Sequence, residues 1–209
     1  RGDHAAEGSL RVEDKAMKSD EFVRVPGYGP IPDFEIGAVP VTQGFWTRHG
    51  HLLPVQPTKF TQEHPVVSVS WDEAMGFAQR LGCRLPSPEE YALLETLLAG
   101  SEAFREDPDA FVVTGLDECP PVASRRALEV MLPWQQNTPQ IGTSTGHVYD
   151  ILGPVYEWTS AEESASNRVS RGGSWSSGPP RFRVAFRYRD SPSFAWTYLG
   201  LRRARDVPR

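Results

Sequence analysis

Two helix-capping motifs stand close together in a chain that is otherwise rich in glycine and proline. Ser70 is followed three residues later by Glu73, and Ser87 by Glu90, and in each case apolar residues then recur at helical spacing. Gly82 is expected to supply a left-handed cap after the first pattern, and Gly100 ends the second. Because 18 Gly and 19 Pro interrupt the chain, we expect two main helices set among loops and short strands.

Shorter elements are predicted on both sides of these helices. One short helix is expected over 41–49 and another over 124–131. We interpret residues 1–21 as a flexible lead-in and 22–209 as a single domain, in which 101–133 form an irregular, partly acidic insert. Apolar pieces between turn residues predict strands at 22–25, 34–36, 148–152, 155–159, 168–174, 182–187 and 199–203.

The composition argues against some classes of function. A formal net charge of −5 gives no general attraction to nucleic acid, and no apolar run approaches the roughly 20 residues that span a bilayer. The scarcity of Lys and Asn indicates a GC-rich or thermophilic source. Charge is uneven, because residues 168–209 hold many Arg and only Asp190 and Asp206 as acids. This basic end favours an acidic partner or a set of structural Arg forks, and the sequence leaves both open.

Six segments carry a resemblance to a known family. In order along the chain they are VTQ at 41–43, PVVSVSWDEA at 65–74, RLPSPEEY at 84–91, VYDILGPVYEWT at 148–159, RGGSW at 171–175 and LGLR at 199–202. Together they resemble the successive signatures of the formylglycine-generating-enzyme/sulfatase-modifying family. The resemblance implies an α+β, C-type-lectin-like fold, an irregular mixed domain with two main helices and short antiparallel strands.

Large aromatic residues are expected to organise a core of this kind, since few regular elements are available to do so. Trp71, Trp158 and Trp175 are the predicted anchors. We also hypothesise that Arg84 and Glu157 form a buried ion pair, because a buried charge requires a partner.

The family's oxidases use two cysteines just after the Gly-Gly-Ser motif to bind copper and convert a substrate cysteine to formylglycine. Here Ser177 stands about where the first cysteine would be, and the only cysteines are Cys83 and Cys119, whose pairing the sequence leaves open. Serine cannot replace the soft thiolate that copper(I) needs. The resemblance therefore implies no catalytic residue in this chain. The alternative is a formylglycine-generating or sulfoxide-synthase-type oxidase with an atypical active site.

No metal site and no cofactor is predicted. The family can bind calcium near 153–157, but Pro154 replaces the usual amide ligand there. The spacing of His49 and His51, with His64 further along, is a weak metal pattern, and exposed or hydrogen-bonded histidines explain it better. The histidines of the sulfoxide synthases come from a separate helical domain that has no counterpart in this sequence.

A non-catalytic branch of the fold fits better. The variable proteins of diversity-generating retroelements carry a similar Arg-Gly-Gly-Ser-Trp segment, followed by positions diversified through adenines in asparagine codons. Residues 168–209 contain no Asn, and many positions hold types reached from an AAC codon by changing adenines alone; Trp196 is the exception. The resemblance implies a ligand-binding surface made of Ser176, Ser177, Gly178, Pro180, Arg181, Phe186, Tyr188, Asp190, Ser191, Phe194, Trp196, Thr197 and Tyr198.

The chemistry of these residues favours recognition. Alternation places Phe194, Trp196 and Tyr198 on one face of an extended segment, and exposed aromatic patches mark interaction sites. Phe182, Val184 and Leu199 are instead expected in the core. Because aromatic and small polar residues together resemble an antibody paratope, we expect a protein ligand, without a role for nucleic acid or a membrane segment.

Overall fold

The structure is a computed structural model that describes residues 19–112, 116, 118–131, 144–164, 166–177 and 187–207. Over these ranges the chain forms an α+β fold of short elements. The helices are α1 (Gln43–Arg48), α2 (Trp71–Arg80), α3 (Pro88–Gly100) and α4 (Glu102–Glu106), with a 3-10 turn at Pro108–Ala110. The strands are β1 (Phe22–Val25), β2 (Phe34–Gly37), β3 (Leu128–Met131), β4 (Ser144–Val148), β5 (Tyr156–Ser164), β6 (Asn167–Arg171), β7 (Tyr188–Asp190), β8 (Leu199–Leu201) and β9 (Ala204–Asp206).

The described strands form three small sheets. Strand order is β1-β2-β9 in the first, β3-β4 in the second and β7-β6-β5-β8 in the third. Strand β8 pairs with β5 in parallel, whereas β6 and β7 continue that sheet antiparallel. Strand β9 pairs with β2, so the last described strand lies in the same sheet as the first two.

Both main helices begin at the capping motifs. Ser70 and Ser87 accept hydrogen bonds from Glu73 and Glu90 amides, and both glutamates return a bond to the cap, so each capping box is complete. The apolar side of α2 packs with α1 and with Trp158, which is fully buried. Helix α3 packs against β1 and β2 in a second apolar cluster. The two predicted helices are confirmed.

The predicted tryptophan anchors differ in burial. Trp158 is fully buried and Trp71 nearly so, and both indole N–H groups donate to backbone carbonyls, of Val69 and Thr159 respectively. Trp175 is only half-buried and packs on a small cluster around Val67. It lies at the edge of the core, so the prediction for Trp175 was too strong.

Several predicted elements were wrong in type or extent. Residues 124–131 were predicted as a helix, but 128–131 form β3, in which buried Leu128 and Val130 alternate with exposed Glu129. The strand predicted at 148–152 ends instead at Val148, because the chain turns at Asp150 with a φ of 58°. Strands β7 and β9 were missed, since three residues are too few to show a period. The strand predicted at 182–187, with Phe182 and Val184, falls almost wholly outside the described residues.

The hypothesised Arg84–Glu157 pair was also wrong. Arg84 donates to Glu90 at 2.6 and 2.7 Å and to Asp206 at 2.7 Å, because its backbone bridges Ala204 beside the start of α3. Glu157 instead accepts hydrogen bonds from Arg202, the shortest at 2.9 and 3.0 Å, in a fully buried pair. Each of the two side chains therefore pairs with a residue other than the one that the sequence suggested.

The Gly-Gly turn after β6 carries the chain from the sheet toward the predicted binding surface. Gly172 has a φ of 96°, and a Cβ there would lie 2.6 Å from the Tyr91 hydroxyl. Only glycine fits that close approach in that conformation. The Arg-Gly-Gly-Ser motif is therefore a buried structural support for the segment that follows it.

A candidate ligand-binding face

The loop from Ser191 to Tyr198 is held to the scaffold through its backbone. The Ser68 amide donates to the Trp196 carbonyl at 2.9 Å, and the Trp71 amide donates to the Pro192 carbonyl at 2.9 Å. At the end of the loop, the Tyr156 amide donates to the Tyr198 carbonyl at 2.8 Å. None of these bonds involves a loop side chain, so they do not restrict which side chain each loop position carries.

Five rings form a continuous cluster on this loop and the adjoining strands, and we call it the aromatic face. Phe194 stacks on Trp196 at a centroid distance of 4.8 Å, and Trp196 meets Tyr198 edge-on, also at 4.8 Å. Tyr156 lies 6.2 Å from Tyr198 and 5.7 Å from Tyr188. Trp196 is 43% exposed and Tyr188 41% exposed. An exposed aromatic cluster of this size is the kind of patch that marks an interaction site.

Tyr156 is a member of this face that sequence reasoning missed. It lies twenty positions before Ser176, the first residue of the predicted surface, within a segment assigned to the family frame. The parallel pairing of β5 with β8 places it opposite Leu199 and beside Tyr198. No signal in the sequence around Tyr156 distinguishes it, because the pairing is set by the tertiary fold.

The serine turn at 174–177 joins the aromatic face through Tyr156. The Ser174 and Ser177 hydroxyls are 2.7 Å apart, and the Ser177 hydroxyl donates to the Tyr156 hydroxyl at 3.4 Å. Ser176 is exposed and Ser177 half-buried. The turn therefore borders the same surface as the rings.

The predicted site residues that the structure describes are more exposed than the family-frame positions around them. Family-frame positions around them, at Gly172, Gly173, Leu199, Gly200 and Arg202, are buried, as predicted for Leu199. Ser176, Tyr188, Ser191, Trp196 and Thr197 are exposed, whereas Ser177, Asp190, Phe194 and Tyr198 are half-buried. Gly178, Pro180, Arg181 and Phe186 lie outside the described residues.

Two titratable groups near the face have raised pKa values. Partial burial raises the pKa of the Asp190 carboxyl. Partial burial also raises the pKa of Tyr198, and charge repulsion from Tyr188, Asp190 and Tyr156 adds to the shift. These groups therefore lie near one another at the Tyr198 hydroxyl.

The residues present do not fit the family's copper site. The two hydroxyls of Ser174 and Ser177 occupy the place after the Gly-Gly motif, and they bond to each other. Cys83 and Cys119 are not joined by a disulfide, and Cys119 is buried, which raises the pKa of its thiol. Copper(I) requires thiolate ligands that this turn does not supply.

Calcium ligation near Pro154 is not supported either. Glu157 is committed to Arg202, and Asp150 accepts a 2.6 Å hydrogen bond from the Ala123 amide. Of the histidines considered above, His51 accepts from Arg80 at 3.2 Å and His64 accepts from the Thr61 amide at 2.9 Å. Over the ranges described, no three Asp, Glu, His or Cys side chains converge in a way that could hold a metal ion.

Comparison with known proteins identifies the family to which this chain belongs. Residues 10–207 match the family described as the sulfatase-modifying factor enzyme 1-like domain, abbreviated FGE-sulfatase. Because the match covers almost the entire chain, the chain belongs to this family. Within the part of the chain that the structure describes, no helix has the length and apolar character needed to cross a bilayer.

Curated relatives that match the chain include kinases, an oxygenase and a protein named as an inactive enzyme. The serine/threonine-protein kinase pkn1 of Chlamydia pneumoniae is 27% identical, over 69% of this chain and 24% of the kinase. The hercynine oxygenase of Mycobacterium tuberculosis is 24% identical over 85% and 53%. The inactive C-alpha-formylglycine-generating enzyme 2 of Bos taurus is 27% identical over 78% and 57%. This chain therefore spans between about a quarter and somewhat over half the length of these relatives.

Solved structures with the same fold include a variable protein. The crystal structure of CarF aligns with a TM-score of 0.64 at 17% identity, over 90% of this chain and 98% of the other. PvdO from Pseudomonas aeruginosa gives 0.59 at 20% identity over 90% and 91%, and Treponema denticola variable protein 1 gives 0.55 at 19% over 90% and 92%. At these identities the likeness concerns the fold alone. The predicted α+β, C-type-lectin-like fold class is confirmed.

Proposed function

We propose that this chain is a non-catalytic, ligand-binding variable protein of a diversity-generating retroelement. Its ligand, a protein, binds the surface formed by 176–181 and 186–198. The observation that carries the proposal is that the loop from Ser191 to Tyr198 is held in place by its backbone rather than by its side chains. Backbone hydrogen bonds to Ser68, Trp71 and Tyr156 fix the loop, while most of its side chains are exposed. A scaffold with that property tolerates varied residues at one surface and keeps its core unchanged.

The likeness in fold to Treponema denticola variable protein 1 supports the proposal, as does the serine pair in place of copper ligands. The retroelement origin is tested in the neighbouring DNA. We expect a reverse transcriptase gene and a second copy of the 3′ end of this gene. The two copies should differ mainly at template adenines in codons of the predicted surface. Absence of such a copy, or differences spread evenly over frame codons such as that of Gly172, would contradict that origin.

Binding through the aromatic face is tested with a partner recovered by pull-down from the source organism. Replacing Trp196 and Tyr188 together with alanine should weaken binding by at least about tenfold, because exposed aromatic anchors dominate interface energy. The matched control is Tyr28→Ala, which removes a ring that is 77% exposed on the turn between β1 and β2. Affinities are measured by calorimetry, and melting temperatures confirm folding. Equal binding by the double variant would place the interface elsewhere.

The alternative, an oxidase with an atypical active site, draws on the hercynine oxygenase match over 85% of the chain. Conversion of a cysteine to formylglycine needs thiolate ligands for copper(I), and the turn at 174–177 supplies hydroxyls. We therefore expect that purified protein does not convert a sulfatase-type cysteine peptide, with or without added copper, by mass spectrometry. A catalytically active family enzyme serves as the positive control. Turnover of the peptide by this chain would restore the oxidase assignment.

A further inference from the structure

Asp190 is an unneutralised carboxylate at the edge of the aromatic face. It lies half-buried on β7, and no hydrogen bond or ion pair engages its side chain within the described residues. Side chains alternate along a strand, so Tyr188 and Asp190 share one side of β7 and Arg189 lies on the other. Partial burial of a carboxylate without a partner is unfavourable, which the raised pKa of Asp190 reflects.

The arginine that lies opposite Asp190 in the sheet already interacts with other groups. Arg168 stands directly opposite Asp190 in the β6–β7 register. Its guanidinium instead lies over the Trp71 ring at 4.4 Å, donates to the Ser164 carbonyl at 2.8 Å and approaches Glu162 at 3.5 Å. Arg168 therefore does not neutralise Asp190, and among the residues that the structure describes no ion pair engages this carboxylate.

The rings beside Asp190 are suited to the same kind of group. The rings form a row of contacts, in which each ring is tilted against the next. The interplanar angle is 47° between Tyr188 and Tyr156, 64° between Tyr156 and Tyr198, and 65° between Tyr198 and Trp196. Rings tilted in this way present several π faces to one region of space, and each π face carries partial negative charge. A cation with an apolar stem gains from both the rings and the carboxylate.

We propose that the ligand group anchored at the aromatic face is the side chain of an arginine or lysine in a protein partner, with its charge directed at Asp190. The inference rests on the proposed function, because it specifies the chemistry of the partner at that same face. The openness of the face favours a side chain on a protein surface over an enclosed small cation, since Trp196 and Tyr188 are more than two-fifths exposed. Such a basic side chain differs from the acidic partner that was one of the two interpretations of the many Arg near the C-terminus.

The test uses a random peptide library displayed on phage and selected on the whole chain. Peptides that bind are expected to be enriched in Arg and Lys. A selected basic peptide should bind Asp190→Asn at least about fivefold more weakly, as loss of a charge partner predicts. Asp109→Asn, which removes an equal charge at an exposed site in the 3-10 turn, should bind as the unmodified chain does. Raising the salt concentration should weaken binding to the unmodified chain more than to Asp190→Asn.

Failure of this inference differs from failure of the proposed function. Selected peptides that lose affinity for Trp196→Ala but are neutral or acidic would overturn the basic anchor. Selected peptides that lose affinity for Trp196→Ala but bind Asp190→Asn as well as the unmodified chain would do the same. Either result would leave the aromatic face as a binding surface. Peptides whose affinity survives Trp196→Ala would overturn both. Melting temperatures of all variants are compared with that of the unmodified chain, and the isosteric Asp190→Asn change on a partly exposed strand is expected to leave the fold intact.

Discussion

Replacing Trp158 with alanine should lower the free energy of unfolding by about 3–5 kcal/mol, the range for large buried aromatic residues. The Trp158 side chain is fully buried in the cluster formed by α1, α2 and β8. Its indole N–H donates to the Val69 carbonyl at 3.0 Å. The substitution would leave a cavity and also an unsatisfied buried carbonyl, and both effects destabilise the folded chain.

Trp196→Ala is the matched control for Trp158→Ala. The Trp196 side chain is 43% exposed, and its contribution to the fold comes from its backbone carbonyl, which the substitution keeps. We expect a change within about 1 kcal/mol. Both variants are measured as midpoints of urea denaturation followed by circular dichroism. Equal losses in the two variants would mean that the aromatic face is part of the core rather than a surface for display.

Arg202→Leu should also lower the free energy of unfolding by about 3–5 kcal/mol, because breaking a buried ion pair leaves a charge without a partner. Arg202 is fully buried, and besides Glu157 it donates to the carbonyls of Gly37 at 2.9 Å and Tyr149 at 2.8 Å. It therefore joins β2, β5 and the segment after β4. Its loss would remove a buried donor from the Glu157 carboxylate and from the carbonyls of Gly37, Tyr149 and Asp150.

The effect of Arg202→Leu should depend on pH in a defined direction. Burial raises the pKa of Glu157, while Arg202 opposes that shift in the unmodified chain. Without Arg202 the folded-state pKa rises further above the unfolded value. Below the unfolded pKa, Glu157 is neutral in both states and its charge adds no penalty. As pH rises from there toward the folded pKa, the destabilisation grows, so the deficit measured by urea denaturation should be smaller in mild acid than at neutral pH.

Two further variants separate the buried charge from the loss of packing. Arg205→Leu removes an exposed arginine that pairs with Glu35, and we expect a change of at most about 1 kcal/mol. The double variant with leucine at both 157 and 202 should be more stable than Arg202→Leu alone, because no unpaired charge remains. A double variant as unstable as the single one would show that the carbonyl contacts of Arg202, rather than Glu157, dominate its role.

The sequence determined the features that arise from neighbouring residues. The capping boxes at Ser70 and Ser87 predicted α2 and α3, since a cap and its partner are three residues apart. The ordered motifs determined the family and with it the fold class. The absence of cysteines after Gly173 is also a fact of the sequence, and it decided against a copper site before any geometry was known.

Only the tertiary structure decided which distant residues meet. Arg84 pairs with Glu90 and Asp206, and Glu157 with Arg202, because bridges and strand pairs bring those partners together across as many as 122 positions. Residues 128–131 form a strand because they pair with β4, although their local sequence pattern predicted a helix. Tyr156 joined the aromatic face through the parallel pairing of β5 and β8. Hydrogen bonding and packing between segments far apart in the chain carry no local pattern, so these choices are fixed only when the chain folds.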